Sequence, residues 1–214
     1  MRKEDNMKFS CGKEIILSAV QTTSKAAAGK SSIPALEGIL MELEGNTLTV
    51  TGYDLDIGIK TSIEVNGIES GNIVINARMA GDIIRKMPSG DITFECGGNN
   101  IAEISGRDTN FSVMCMSADD YPNVPQVNPE TSFTMPQKLL KSMIVQTKFA
   151  VATVDNKPAL MGCKFELEDN VLSVAAVDGV RIALRQEPLT YNNMSFIVPA
   201  KTLEELTHIL SDDN

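Results

Sequence analysis

The chain has 214 residues, 43% hydrophobic and 22% charged, with a formal net charge of −9. That length and balance imply a soluble globular protein with one large core or two ordinary ones, and they exclude a largely disordered chain and a uniformly basic nucleic-acid coat. No apolar run approaches the roughly 20 residues that cross a bilayer, and the charged start is not followed by a signal-like stretch, so a cytoplasmic protein without a membrane partner is expected.

In chain order, residues 1–6 read as an upstream extension, because Met7 opens the first strand-like run at 8–11. An amphipathic helix follows, with Ile15, Ile16, Ala19 and Val20 as its apolar stripe. Alternating runs at 39–44 and 47–51 flank Gly45-Asn46 and predict a hairpin; strands at 56–61 and 72–75 and a helix over 78–87 come next. Three further strand-like runs, 91–96, 100–105 and 110–116, complete a first domain of 7–116. Residues 117–130 hold three prolines without periodicity and read as an extended linker.

From residue 131 the chain repeats itself. Ile33-Pro-Ala-Leu-Glu-Gly and Lys157-Pro-Ala-Leu-Met-Gly stand 124 residues apart, and Phe9/Phe133, Leu36/Leu160, Gly38/Gly162 and Asp54/Asp178 share that offset. So long a period means a duplicated domain, not a short-repeat solenoid. The second copy, 131–214, is expected to run through a strand at 132–135, a helix starting at Pro136, a hairpin (163–167, 171–175) around Asp169-Asn170, strands at 180–185 and 195–198, and a helix at 201–210. Measured against the first copy it stops roughly forty residues short, so a truncated product is expected. The fold class is α+β: tandem duplicated domains of helices and antiparallel sheets.

Side chains with chemistry are few. Cys11, Cys96, Cys115 and Cys163 are widely spaced without a CxxC pair, which predicts reduced, buried thiols and no metal site. His208, the only histidine, falls in the last predicted helix and reads as solvated; no catalytic residue and no cofactor is assigned. The paired carboxylates Asp54/Asp56 and Asp119/Asp120 leave open a metal-dependent enzyme, but an Asp that recurs before a turn in both copies is more naturally structural. A replication-unrelated interaction module is the other alternative. Lys138, Lys141 and Lys148, at spacings of 3 and 7, lie opposite Leu140 and Met143, and Lys13, Lys25, Arg78 and Arg85 are similarly polar-face.

Met7-Lys-Phe9, Leu48-Thr-Val-Thr-Gly-Tyr-Asp-Leu55, Phe111-Ser-Val113, Asp120-Tyr-Pro-Asn123 and Ala176-Val-Asp-Gly-Val-Arg-Ile182 together resemble the β subunit of bacterial DNA polymerase III, over nearly the whole chain from Met7. The resemblance implies the DNA clamp fold, with helices on an inner face and sheets on an outer face, three domains per protomer of which the third is absent here, and a head-to-tail homodimer. The implied role is a sliding clamp, a non-catalytic processivity factor that encircles double-stranded DNA without reading sequence. Its implied partners are the polymerase III α subunit and the clamp loader δ subunit, bound through linear peptides. By family position Lys30, Arg78 and Lys157 join the three helix lysines as DNA contacts. The peptide groove would be formed by Lys157, Leu160, Val177, Gly179, Val180, Arg181 and Ile182. Phe111 and Val113 would mark an exposed strand edge at the dimer joint.

Overall fold

The computed structural model describes residues 6–98, 100–125, 132–154 and 157–212. Two compact units divide the chain, Met1–Gln126 and Val127–Asn214. The first holds strands β1 (Met7–Gly12), β2 (Gly38–Glu44), β3 (Thr47–Tyr53), β4 (Gly58–Glu64), β5 (Asn66–Glu69), β6 (Gly71–Asn76), β7 (Asp91–Gly97), β8 (Ile101–Gly106) and β9 (Thr109–Met116), with helices α1 (Lys13–Thr23) and α2 (Ala77–Lys86). Its strands join in the order β4-β3-β2-β6-β9-β8-β7-β1-β5, every pair antiparallel. Only two residue pairs, Val74–Met116 and Ile75–Cys115, link β6 to β9, so the nine strands behave as two sheets joined at a corner.

The second unit contains α3 (Gln137–Thr147), β10 (Gly162–Glu168), β11 (Val171–Val177), β12 (Ile182–Pro188), β13 (Met194–Pro199) and α4 (Ala200–Ile209). Its sheet order, β12-β11-β10-β13, repeats β4-β3-β2-β6 strand for strand. The repeat in the sequence is therefore a repeat in topology. Gly38 and Gly162 show why one residue type recurs: a Cβ at Gly38 would lie 2.6 Å from Val74 Cγ1, and one at Gly162 would lie 2.5 Å from the Val198 carbonyl. Only a residue without a side chain lets the incoming turn approach the neighbouring strand there.

Each unit closes on its own core. Met7, Phe9, Ile16, Val20, Ile39, Met41, Ile73, Ile75, Ile84 and Phe94 are buried together in the first; Met143, Ile144, Cys163, Phe165, Leu167, Val174 and Leu203 in the second. Ring stacking fixes register in both, Phe9 on Phe94 (5.3 Å, on paired strands β1 and β7) and Phe165 on Phe196 (5.4 Å, on β10 and β13). Helix ends are tied alike. Lys13 Nζ donates to the carbonyls of Arg85 (3.0 Å) and Met87 (2.8 Å) where α2 ends, and Gln137, its counterpart, accepts from the Ser211 N–H (2.9 Å) just past α4. Thr23 and Thr147, both buried, each hand a hydroxyl hydrogen bond to the carbonyl four residues back, at 2.9 and 2.8 Å.

Three expectations need correction. Residues 132–135 form no strand; their counterpart β1 is held between β7 and β5, and the described part of the second unit has no equivalent of either. β5, four residues beginning Asn66-Gly67, was hidden by the turn-like character of that pair. β4 and β12 start two residues later than predicted, since Asp54 and Asp178 organise turns first.

Candidate binding surfaces

The turn 178–181 shows how backbone chemistry builds a surface. Asp178 Oδ1 accepts hydrogen bonds from the N–H groups of Val180 and Arg181, both at 3.1 Å, and Gly179 takes a positive φ of 96° that closes the turn. Arg181 Nε donates to Asp178 Oδ2 at 2.6 Å. These donors hold the Asp178 carboxyl below the usual carboxylate range, the Val180 N–H foremost. The side chain of Val180 is left 94% exposed, and Ile182, at the start of β12, 75%.

Val177 pairs in register with Ile182, and both point away from the buried Ala176 and Ala183. Leu160, half-buried, sits in the 3-10 turn Pro158–Met161 that leads into β10, the strand beside β11; its N–H donates to the Lys157 carbonyl at 2.9 Å. Leu160, Val177, Gly179, Val180, Arg181 and Ile182 thus gather at one end of the four-stranded sheet, with Lys157 exposed at the rim. Leu184, 57% exposed, extends the Ile182 face by one period of the strand. Sequence reading missed it, although its two-residue spacing from Ile182 was the available signal.

The six proposed cationic contacts fall into two groups. Lys30, Arg78, Lys138 and Lys157 are exposed. Arg78 stands in the first turn of α2, its side chain 92% exposed and 3.9 Å from Asp82, and it lines a cavity of about 470 Å³ with Gly29, next to Lys30. Lys141 and Lys148 are instead half-buried in pairs with their own unit: Lys141 Nζ meets Asp212 Oδ1 at 2.9 Å and the Leu210 carbonyl at 3.3 Å, and Lys148 pairs with the Glu204 carboxylate. Lys148 holds the Glu204 carboxyl below its ordinary range. Lys13, read as polar-face, has its ammonium turned to the carbonyls at the end of α2.

On β9 the side chains of Phe111 and Val113 face the core of their own unit. Val113 is 3% exposed and Phe111 packs against the first core, because β9 turns these alternate residues inward and Asn110, Ser112 and Met114 outward. Among the described residues, 109–114 pair with β8 on one side only, which leaves their other backbone edge for a partner strand.

The carboxylate pairs have local work. Asp54 Oδ1 accepts from the N–H groups of Asp56 (3.0 Å) and Ile57 (2.8 Å), as Asp178 does in the second unit, and Asp119 and Asp120 sit in a 3-10 turn capped by Ser117. Among the described residues no three His, Cys, Asp or Glu side chains converge as a metal site, and no helix is long and apolar enough to cross a membrane. The four thiols are buried, and burial pushes the Cys11 thiol up to about 11.

Comparison with known proteins adds a consistent set of relatives. Residues 7–125 match the family model for the N-terminal domain of the DNA polymerase III beta subunit, and residues 134–214 match that for its central domain. The beta sliding clamp of Halalkalibacterium halodurans is 32% identical over 220 residues, covering 97% of this chain and 58% of that protein. Among solved structures, a putative DNA polymerase III beta subunit from Eubacterium rectale superposes with a TM-score of 0.93 at 33% identity, and the DNA polymerase sliding clamp of Bacillus subtilis with 0.92 at 32%; each covers 97% of this chain and 57% of the solved one. The chain thus spans under two thirds of the length of the relatives it matches.

Proposed function

Because this chain belongs to the DNA polymerase III β-subunit family, we propose that its two units are the first two domains of a sliding clamp, a non-catalytic, cytoplasmic protein that encircles duplex DNA and tethers the replicative polymerase to it. The observation that carries this reading is the consecutive match of the N-terminal and central domain models to the two units, in order and without overlap. In this reading the residues 1–6 precede the first domain, 117–130 join it to the second, and a third domain completes the protomer, which dimerises head to tail with the free backbone edge of β9 at the joint. The exposed cations Lys30, Arg78, Lys138 and Lys157 would attract phosphates without reading bases, and a contact of that kind permits sliding.

The apolar end of the second sheet would take short extended peptides of the polymerase α subunit and of the clamp loader δ subunit. Val180 and Ile182 offer exposed apolar area, while Arg181 and the rim residue Lys157 offer polar anchors. The test is an NMR titration of the 214-residue chain with overlapping synthetic peptides from those two subunits. Saturable shifts at Val177 and Ile182 are expected, weakened at least about tenfold by Leu160→Asp with Arg181→Ala, a loss of ~1.4 kcal/mol. Affinity unchanged in the folded double variant would remove the groove assignment.

A further inference from the structure

The duplicated design places the same surface in the first unit, and there it is filled. At the repeat offsets Leu36 corresponds to Leu160, Tyr53 to Val177, Gly58 to Ile182 and Val74 to Ile197. In the second unit Leu160 and Val177 are half-buried, and Ile182 and Ile197 are 75% and 48% exposed. In the first unit Leu36, Tyr53 and Val74 are 1%, 8% and 0% exposed, clustered with Tyr121 and packed by Val124. The chain leaving β9 runs back across this end of the sheet. Tyr121 is 7% exposed, and its hydroxyl donates to the carbonyl of Thr51 at 3.3 Å. Gly58 makes room for Val124: a Cβ there would lie 2.9 Å from Val124 Cγ1, where the second unit carries Ile182, 75% exposed.

We propose that residues 121–124, Tyr-Pro-Asn-Val, are a built-in peptide ligand that closes a latent docking surface on the first unit. The surface suits an extended peptide with an aromatic side chain and a branched apolar one three residues later, joined through Pro122. Tethering gives the segment an effective concentration that an untethered competitor does not match, so docking from outside is suppressed at the first unit. A cavity of about 530 Å³ lined by Leu40, Thr51, Gly58, Tyr121 and Val124 continues the surface beside the segment. This inference rests on the peptide-groove reading for its meaning, but it is read on different residues.

The test uses the 214-residue chain and a blocked hexapeptide of its own residues 120–125, Asp-Tyr-Pro-Asn-Val-Pro, followed by NMR. The native chain should give no saturable shifts at the amides of Thr51, Tyr53 and Gly58. Tyr121→Ala with Val124→Ala should give saturable shifts there at millimolar peptide, lost when the peptide's tyrosine is replaced by alanine. Should that variant fail to fold, Tyr121→Ser alone empties the ring position and loosens the segment's hold, with saturable shifts at the same amides expected at higher peptide concentration. A folded variant of either kind without saturable shifts overturns the proposal, and so does a native chain that binds the hexapeptide equally well. Failure of the groove reading would show separately, at Val177 and Ile182 of the second unit.

Discussion

Asp178 is neither apolar nor exposed for contact, yet it decides where its neighbours stand. Its carboxylate accepts from two backbone N–H groups and the Arg181 guanidinium, so the ionised form is the one the fold prefers. A carboxyl whose folded pKa lies below its unfolded value of about 3.9 adds stability that is present above that unfolded value and is lost as pH falls through the folded one. The amides of Val180 and Arg181 should therefore lose protection, and peptide affinity should fall, only at pH below the ordinary carboxylate range; NMR-detected titration of the Asp178 carboxyl checks the midpoint. Asp178→Ala should produce the same loosening at neutral pH and weaken peptide binding about fivefold, by leaving two turn donors unpaired. A midpoint at or above the ordinary range would refute the turn's role. The recurrence of Asp54 as Asp178 was legible in the sequence, and so was its structural nature. What each oxygen accepts was not, because Asx turns and carboxylate pairs share the same residues.

Elements carry a second tier of constraint, visible where α1 meets the end of α2. Lys13 opens α1, yet its ammonium lies against the Arg85 and Met87 carbonyls, where a cation completes orphan acceptors and opposes the negative end of the helix dipole. Lys13→Met keeps the aliphatic stem and deletes both bonds; it should cost the first unit about 1–2 kcal/mol in urea unfolding, and raise amide exchange in the last turn of α2. Stability within error of the native chain would mean that water replaces the ammonium without loss. At this scale the periodic elements were readable. The hairpins around Gly45-Asn46 and Asp169-Asn170 and the buried Ile16, Ala19 and Val20 of α1 come from side-chain spacing within a few residues, whereas Ile15, placed in the same stripe, is 50% exposed. What failed depends on distant partners: β5 exists because β1 offers it an edge, and 132–135 is no strand where the described residues of the second unit supply no such neighbours. Lys141 and Lys148 likewise look like solvated helix cations until α4 supplies Glu204 and the chain just past it supplies the Leu210 carbonyl and Asp212, from 56 to 71 residues away.

For the whole molecule, a net charge of −9 must be reconciled with a proposed role in holding a polyanion. The ion pairs make that reconciliation quantitative. With Lys13 committed to α2 and Lys141 and Lys148 paired with acids, four of the six proposed contacts, Lys30, Arg78, Lys138 and Lys157, stand exposed. Each phosphate neutralised on B-DNA contributes about −0.9 to the slope of log affinity against log salt, so four contacts predict a slope of roughly −3 to −4. Fluorescence anisotropy of the 214-residue chain on duplex DNA, run from low to moderate salt, should return that value irrespective of base sequence. Lys30→Glu with Arg78→Glu should weaken binding and flatten the slope by about two. Lys148→Gln should leave the slope nearly unchanged while releasing the Glu204 carboxyl toward its ordinary range, because that lysine's charge is already balanced within its own unit. If the Lys30/Arg78 variant keeps the native slope while Lys148→Gln flattens it, the DNA-facing cations are the half-buried ones, and the assignment of exposed residues to that role is wrong.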